Sequence, residues 1–293
     1  MERLPAVIAP RPLFTVPLAH GLSLELGPRT LVMGILNVTP DSFAGGVTSP
    51  DLAADLALRM EADGADIIDI GGESTRPGAD PVAEADELAR VLPVIARLKG
   101  RLAAPISIDT YKAAVAGEAL AAGASIVNDI SGLGYDPILG DVVARAGAGL
   151  VLMHTRGRPR EMYRHADYGD IMAEVSAELH QALERADAAG VPRAQVFVDP
   201  GIGFAKRADQ SRAVLTKLAA LGPLGRPLLV GPSRKSFLLD GRAPVPPSAR
   251  DWGTAAAVTV AVMGGAHIVR VHNVAVMVQV VRVADALCAE AQA

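Results

Sequence analysis

The sequence predicts a (β/α)8 TIM barrel, on three observations. Eight short runs rich in branched residues recur along the 293-residue chain. The segments between them carry apolar residues at roughly helical spacing. Most of those segments close on Gly or Ala-Gly just before the next run, as helix C-termini tend to do. In order, the predicted strands are LVMGILNV (31–38), DIIDI (66–70), PISID (105–109), SIVNDI (125–130), LVLMH (150–154), QVFVD (195–199), PLLVG (227–231) and HIVRV (267–271). They are continuous apolar runs, the signature of parallel strands covered on both faces. Helices such as EADELARVLPVIARLKG and YGDIMAEVSAELHQALERADAAG lie between them. Eight such repeats over about 250 residues match a (β/α)8 barrel, with a doubly wound open sheet as the alternative. Residues 1–29 precede the repeat, and there LFTVPLAHGLSLELG, with its His-Gly turn, is expected to form a hairpin closing the bottom of the barrel. No shift in composition divides the rest, so residues 30–293 read as one barrel domain.

Composition narrows the partners. With 50% apolar and 20% charged residues the chain can bury a large core, and its net charge of −4 lacks the basic surplus that nucleic-acid binding needs. The longest apolar stretch, WGTAAAVTVAVMGGAHIV (252–269), is interrupted by Gly264, Gly265 and His267, so it reads as a buried helix leading into a strand and not as a membrane span. The first 25 residues lack the pattern of a signal peptide. A single cysteine, Cys288, permits no intrachain disulfide; it reads as a small buried hydrophobe, and the expected location is the cytoplasm.

The chemistry is expected where the strands end, because loops at the carboxyl face of a barrel vary without disturbing the packed strands. Those ends are polar: Asn37; Glu73 to Arg76; Asp109; Asn128 and Asp129; His154; Asp199; Ser233 to Lys235; Arg270 and His272. Singly, each has a plain structural explanation. Asp109 suits a helix N-cap, Asn128 and Asp129 suit a turn, His154 suits a satisfied core position, and the arginines of HTRGRPRE suit a solvated loop. Together they make a bipolar mouth. Acceptors Asp109, Asn128 and Asp199 face cations Arg76, Lys235, Arg270 and His272, a layout for a flat donor-rich ring on one side and a multiply charged anion on the other. No GxSxG elbow, HExxH, Cys/His cluster or P-loop is present, so the chemistry needs orientation and charge neutralisation more than a protein nucleophile.

Seven stretches carry a resemblance: GILNVTPDSF (34–43), IDIGGESTRPG (68–78), ISIDT (106–110), IVNDISG (126–132), DPGIGF (199–204), GPSRKSF (231–237) and RVHN (270–273). In order and spacing they resemble the dihydropteroate synthases, the folate-pathway members of the pterin-binding family and the sulfonamide target. The resemblance implies a barrel that joins 6-hydroxymethyl-7,8-dihydropterin diphosphate to 4-aminobenzoate, releasing pyrophosphate with Mg2+ assistance. It implies that Asp109, Lys235 and Arg270 carry the chemistry. Asp109, Asn128 and Asp199 would hold the pterin, with Lys235 reaching its ring and Met153 packing on its face. Asn37 would bind the metal, and Arg270 and His272, with Asn37, the diphosphate. Phe204, Ser236 and Pro77 would line the benzoate pocket, and Thr75, Arg76 and Pro77 would belong to a second loop folding over it. The family is commonly homodimeric, and VAVMVQVVRVADAL (274–287) is the segment expected to supply that interface.

The chain departs from the family pattern at three places. The first loop reads Ser42-Phe43-Ala44-Gly45-Gly46 where the pattern has SFSDGG; Ala205 replaces a glycine of GFGK; and His272-Asn273 stands for HD. Two other readings stay open: a methyltetrahydrofolate–corrinoid methyltransferase with a similar pterin pocket, and a non-catalytic pterin-binding paralogue.

Overall fold

The computed structural model describes residues 8–39, 49–76, 78–239, 243 and 245–292. Loop residues Ala44, Gly45 and Gly46, and the benzoate candidate Pro77, lie outside the described residues. An antiparallel hairpin, β1 (Phe14–Pro17) with β2 (Ser23–Leu26), comes first. The barrel strands are β3 (Leu31–Asn37), β4 (Ile67–Gly71), β5 (Ile106–Asp109), β6 (Ile126–Asp129), β7 (Gly149–Met153), β8 (Val196–Asp199), β9 (Leu229–Val230) and β10 (Ile268–Val271). They pair in parallel in the order β8-β7-β6-β5-β4-β3-β10-β9, and a parallel bridge between Val198 and Leu228 closes the ring. The predicted (β/α)8 barrel is therefore the fold. The seventh predicted strand is shorter than its apolar run, two residues instead of five, because the chain leaves the ladder at Gly231 to enter the SRK turn.

Among the described residues eight α-helices cover the outside: α1 (Pro50–Ala62), α2 (Glu84–Leu98), α3 (Ala113–Ala122), α4 (Leu139–Ala146), α5 (Ile171–Ala188), α6 (Ala208–Thr216), α7 (Asp251–Met263) and α8 (Val274–Gln292). Their ends follow local chemistry. Asp170 caps α5 by accepting from the Met172 and Ala173 amides at 3.1 and 3.2 Å, and Gly147 ends α4 in the left-handed conformation at φ 62°. No described helix is long and apolar enough to cross a membrane.

The barrel interior is filled in layers. At the bottom, Val16, Leu18, Leu24 and Leu26 of the hairpin pack against Met33, Phe197 and neighbours, so the hairpin plugs the barrel as its sequence suggested. The plug requires Gly149, whose Cβ would sit 2.6 Å from Leu18 Cδ2. With the bottom closed, the top is the mouth. Strand register sets Asn37 beside Gly71, Gly71 beside Asp109, Asp109 beside Asn128, and Met153 beside Asp199. Arg270 pairs one layer lower, with Met33, and Asp69 with Ser107.

Candidate active site

Charge inside a packed barrel must be paired, and here the pairing is specific. Arg270 donates from Nε to Asp69 Oδ2 and from an Nη to Asp109 Oδ2, both at 2.6 Å. Asn128 donates its amide to Asp69 Oδ2 at 3.1 Å, which leaves its carbonyl oxygen as an acceptor. Asp199 accepts from the Gly201 amide through Oδ1 at 2.7 Å. Each predicted pterin acceptor thus has one side-chain atom engaged by the protein, a carboxylate oxygen in Asp109 and Asp199 and the amide nitrogen in Asn128. The remaining side-chain oxygen, Asp109 Oδ1, Asn128 Oδ1 or Asp199 Oδ2, is without a hydrogen-bond partner among the described residues.

Burial raises the Asp109 carboxyl to about 7, against the opposing pull of Arg270, and raises Asp199 as well. Asp109 Oδ1 is thus a buried acceptor with no donor among the described residues, as is Asp69 Oδ1 below it. Lys235, half-buried at the rim, donates to the Ile202 carbonyl and lies 4.6 Å over the Phe204 ring; burial pulls its ammonium down to about 8. Met153 packs with Tyr111 and Ile130, and Phe204 joins them from the edge, so Met153, Phe204 and Lys235 share one wall.

Just past the ends of β9 and β10, Ser233 Oγ and His272 Nδ1 are hydrogen-bonded at 2.9 Å. The His272 pKa falls to about 3, first through burial and then through Arg270, Arg234 and Arg76. Of these three guanidiniums, Arg270 is paired with Asp69 and Asp109 and Arg234 with Asp251, which leaves Arg76 without a carboxylate partner among the described residues. Thr75 is half-buried and Arg76 exposed on the loop after β4, and Arg76 joins the cationic side. Ser236 is exposed after the SRK turn, where Tyr163 meets it. Asn37, half-buried at the end of β3, has no side-chain partner among the described residues. No cluster of three His, Cys, Asp or Glu side chains suited to a metal is present among the described residues. A single oxygen ligand such as Asn37 suits Mg2+, which keeps its waters and takes substrate phosphates as its other partners.

The structure separates the remaining rim residues into support. Asp109 is not a helix cap: α3 has no side-chain cap, and the Ala113 amide instead donates to Asp136. Asp129 is a turn residue, accepting from Ser131 and Leu133. His154 is a satisfied core histidine, bonded to Lys206 Nζ at 2.7 Å and to Glu178 at 3.0 Å. Arg156 is no solvated loop arginine: it pairs with Glu174 and Glu178 and stacks 4.0 Å over Tyr168, an ordering that proximity on α5 creates and no local pattern shows. Asp69 was missed. Its signal was present, a carboxylate in the middle of the apolar run DIIDI, and it proves to be the buried anchor of both Arg270 and Asn128.

A barrel mouth with spare acceptors set among paired cations defines an enzyme site for a donor-rich ring bearing an anionic group. Residues 33–272 match the family described as pterin binding enzyme. The dihydropteroate synthase of Synechocystis sp. is 49% identical over 94% of this chain and 96% of its own length. Among solved structures, Yersinia pestis dihydropteroate synthase with a sulfonamide drug superposes with TM-score 0.88 at 42% identity, covering 92% of this chain and 98% of that one. The Clostridium difficile dihydropteroate synthase, in the presence of pteroic acid, gives TM-score 0.84 at 43% identity over 90% and 98%. The chain belongs to the pterin-binding enzyme family, within its dihydropteroate synthase branch.

Proposed function

We propose that this chain condenses 6-hydroxymethyl-7,8-dihydropterin diphosphate with 4-aminobenzoate to 7,8-dihydropteroate and pyrophosphate. The observation that carries the reading is the set of three acceptors, Asp109, Asn128 and Asp199, each with one oxygen free beside a cationic rim. A dihydropterin offers matching N–H donors. As its methylene C–O bond stretches, positive charge develops on the ring and negative charge on the departing diphosphate. Asp109 and Asp199 stabilise the first, and Arg270, His272 and Arg76 the second, so the protein is complementary to the separated charges. The arylamine nitrogen forms its bond to the methylene carbon as the C–O bond breaks, and then releases its proton to solvent. An aromatic amine is unprotonated at neutral pH, so no general base is needed.

Lys235 would reach the ring from its place over Phe204, and Met153 would pack on the ring face. Phe204, Ser236 and Thr75 would border the benzoate. Asn37 would hold Mg2+, which when bound supplies charge neutralisation at the diphosphate. A homodimer through α7 and α8 fits the exposed Trp252, Val276, Val283 and Leu287 on those helices, and a cytoplasmic setting fits the single cysteine.

Incubation with both substrates and Mg2+ tests the reaction. One pyrophosphate per dihydropteroate is the expected yield. Pterin binding without release would favour the paralogue, and methyl transfer from methyltetrahydrofolate to a corrinoid would favour the methyltransferase. The Arg270 and Arg76 guanidiniums beside the neutral His272 argue against the latter, which has no diphosphate to hold.

A further inference from the structure

A second buried ionic cluster lies outside this site, under the loop that carries Thr75 and Arg76. Glu73, at the exit of β4, accepts the Tyr111 hydroxyl on Oε1 at 2.7 Å. Its Oε2 accepts the Lys112 ammonium and, at 3.2 Å, the Val82 amide. Lys112 also donates to the Val82 carbonyl at 2.7 Å and to Glu87 of α2 at 2.5 Å. Both backbone polar groups of Val82 are therefore held by the Glu73–Lys112 pair, so the chain leaving β4 at Glu73 and the chain returning at Val82 are tied at one point. Glu73, Glu87, Tyr111 and Lys112 are each less than a tenth exposed, so water does not weaken the tie. Gly72 belongs to it too, since a Cβ there would lie 2.8 Å from Val91 and 3.1 Å from the Glu87 carbonyl oxygen, and only its absence lets α2 come close enough.

Tyr111 connects this tie to the active-site wall. Its ring packs with Ile130 and Met153 and meets Tyr135 edge-on, with centroids 5.2 Å apart, while its hydroxyl ends on Glu73. We propose that Tyr111 and Lys112 are positioning residues that fix the base of the Thr75–Arg76 loop through Glu73 and Val82, and so set how well the second substrate is used. This rests on the condensation reading. A loop held at both ends at one point keeps Thr75 and Arg76 within a narrow range above the mouth, and a loop held at one end does not.

Tyr111→Phe removes only the hydroxyl and keeps the ring packed. The expected result is a KM for 4-aminobenzoate raised roughly five- to tenfold, the loss of about one hydrogen bond, with affinity for bare hydroxymethyl-pterin unchanged. Amide hydrogen exchange over residues 74–81 should quicken in the same variant, and Lys112→Met should quicken it further if it folds. Unchanged exchange and unchanged KM in Tyr111→Phe would overturn the proposal. So would a parallel loss of bare-pterin affinity, which would place Tyr111 in the pterin pocket itself. Exchange is read without turnover, so a wild-type protein that released no pyrophosphate would sink the condensation reading and leave this test standing.

Discussion

Gly201 shows how narrowly single residues build this site. Its φ is +67°, and a Cβ there would overlap the His154 carbonyl oxygen, a backbone atom that cannot move aside. Gly201→Ala should cost at least about 2 kcal/mol and should abolish pterin binding, because the same turn donates the amide that orients Asp199; urea unfolding and pterin titration check both halves. Ala205 is the opposite case. It too has positive φ, 46°, at the position where the family pattern carries glycine. The left-handed alanine costs about 1 kcal/mol, and its fully buried methyl offsets about 0.8. Ala205→Gly is therefore expected to change stability by less than about 0.5 kcal/mol, and a larger gain in urea would mean that the departure is a defect. Asn273, the third departure, donates to Asp251, which also pairs with Arg234; an aspartate there would set two carboxylates together. Arg270 has more to do than its sequence position suggested. Arg270→Ala would leave Asp69 and Asp109 buried without a cation, so a fall in melting temperature should accompany its loss of ligand affinity.

At the scale of elements, strand ends were legible because polar residues gather where a parallel strand buried on both faces stops, while those within a strand, such as Asp69 and Arg270, must be paired. Asn37, Asp109, Asn128 and Asp199 fell at those stops. What the pattern hid was partnership across the barrel: β10 and β4 are far apart in sequence, and only closure of the ring brings Arg270 onto Asp69. Helix-to-loop pairing was hidden for the same reason, as Arg156 with Glu178 shows. Histidine at the start of β10 illustrates how an element's fit sets acid stability. His267 accepts the Leu228 amide on Nδ1 at 3.1 Å and donates from Nε2 to the Pro12 carbonyl at 3.0 Å, and burial lowers its pKa from 6.5 to about 4. The unfolded chain takes up a proton below about pH 6.5 that the native ring refuses until about pH 4, so stability is complete above the first value and falls as pH drops toward the second. Between pH 7 and 5 this residue should account for about 1–2 kcal/mol of lost stability. His267→Gln should show a correspondingly smaller difference between denaturant curves at the two pH values.

For the whole molecule, the apolar stretch at the C-terminus leaves Val276, Val283 and Leu287 exposed on α8 next to Trp252 on α7, a face that suits a second copy. Val283→Glu with Leu287→Glu should convert a dimer to monomer in light scattering; a monomeric wild type would remove that assembly from the account. The central claim concerns the mouth itself, with pterin held on the acidic side and the anion on the cationic side. Calorimetry of bare hydroxymethyl-pterin and of its diphosphate, on wild type, Asp109→Asn and His272→Ala, tests it most directly. Asp109→Asn should weaken both ligands by the same factor, on the order of 5- to 100-fold. His272→Ala should weaken the diphosphate alone. If both variants weaken both ligands in the same ratio, the mouth is not divided in this way and the account is contradicted.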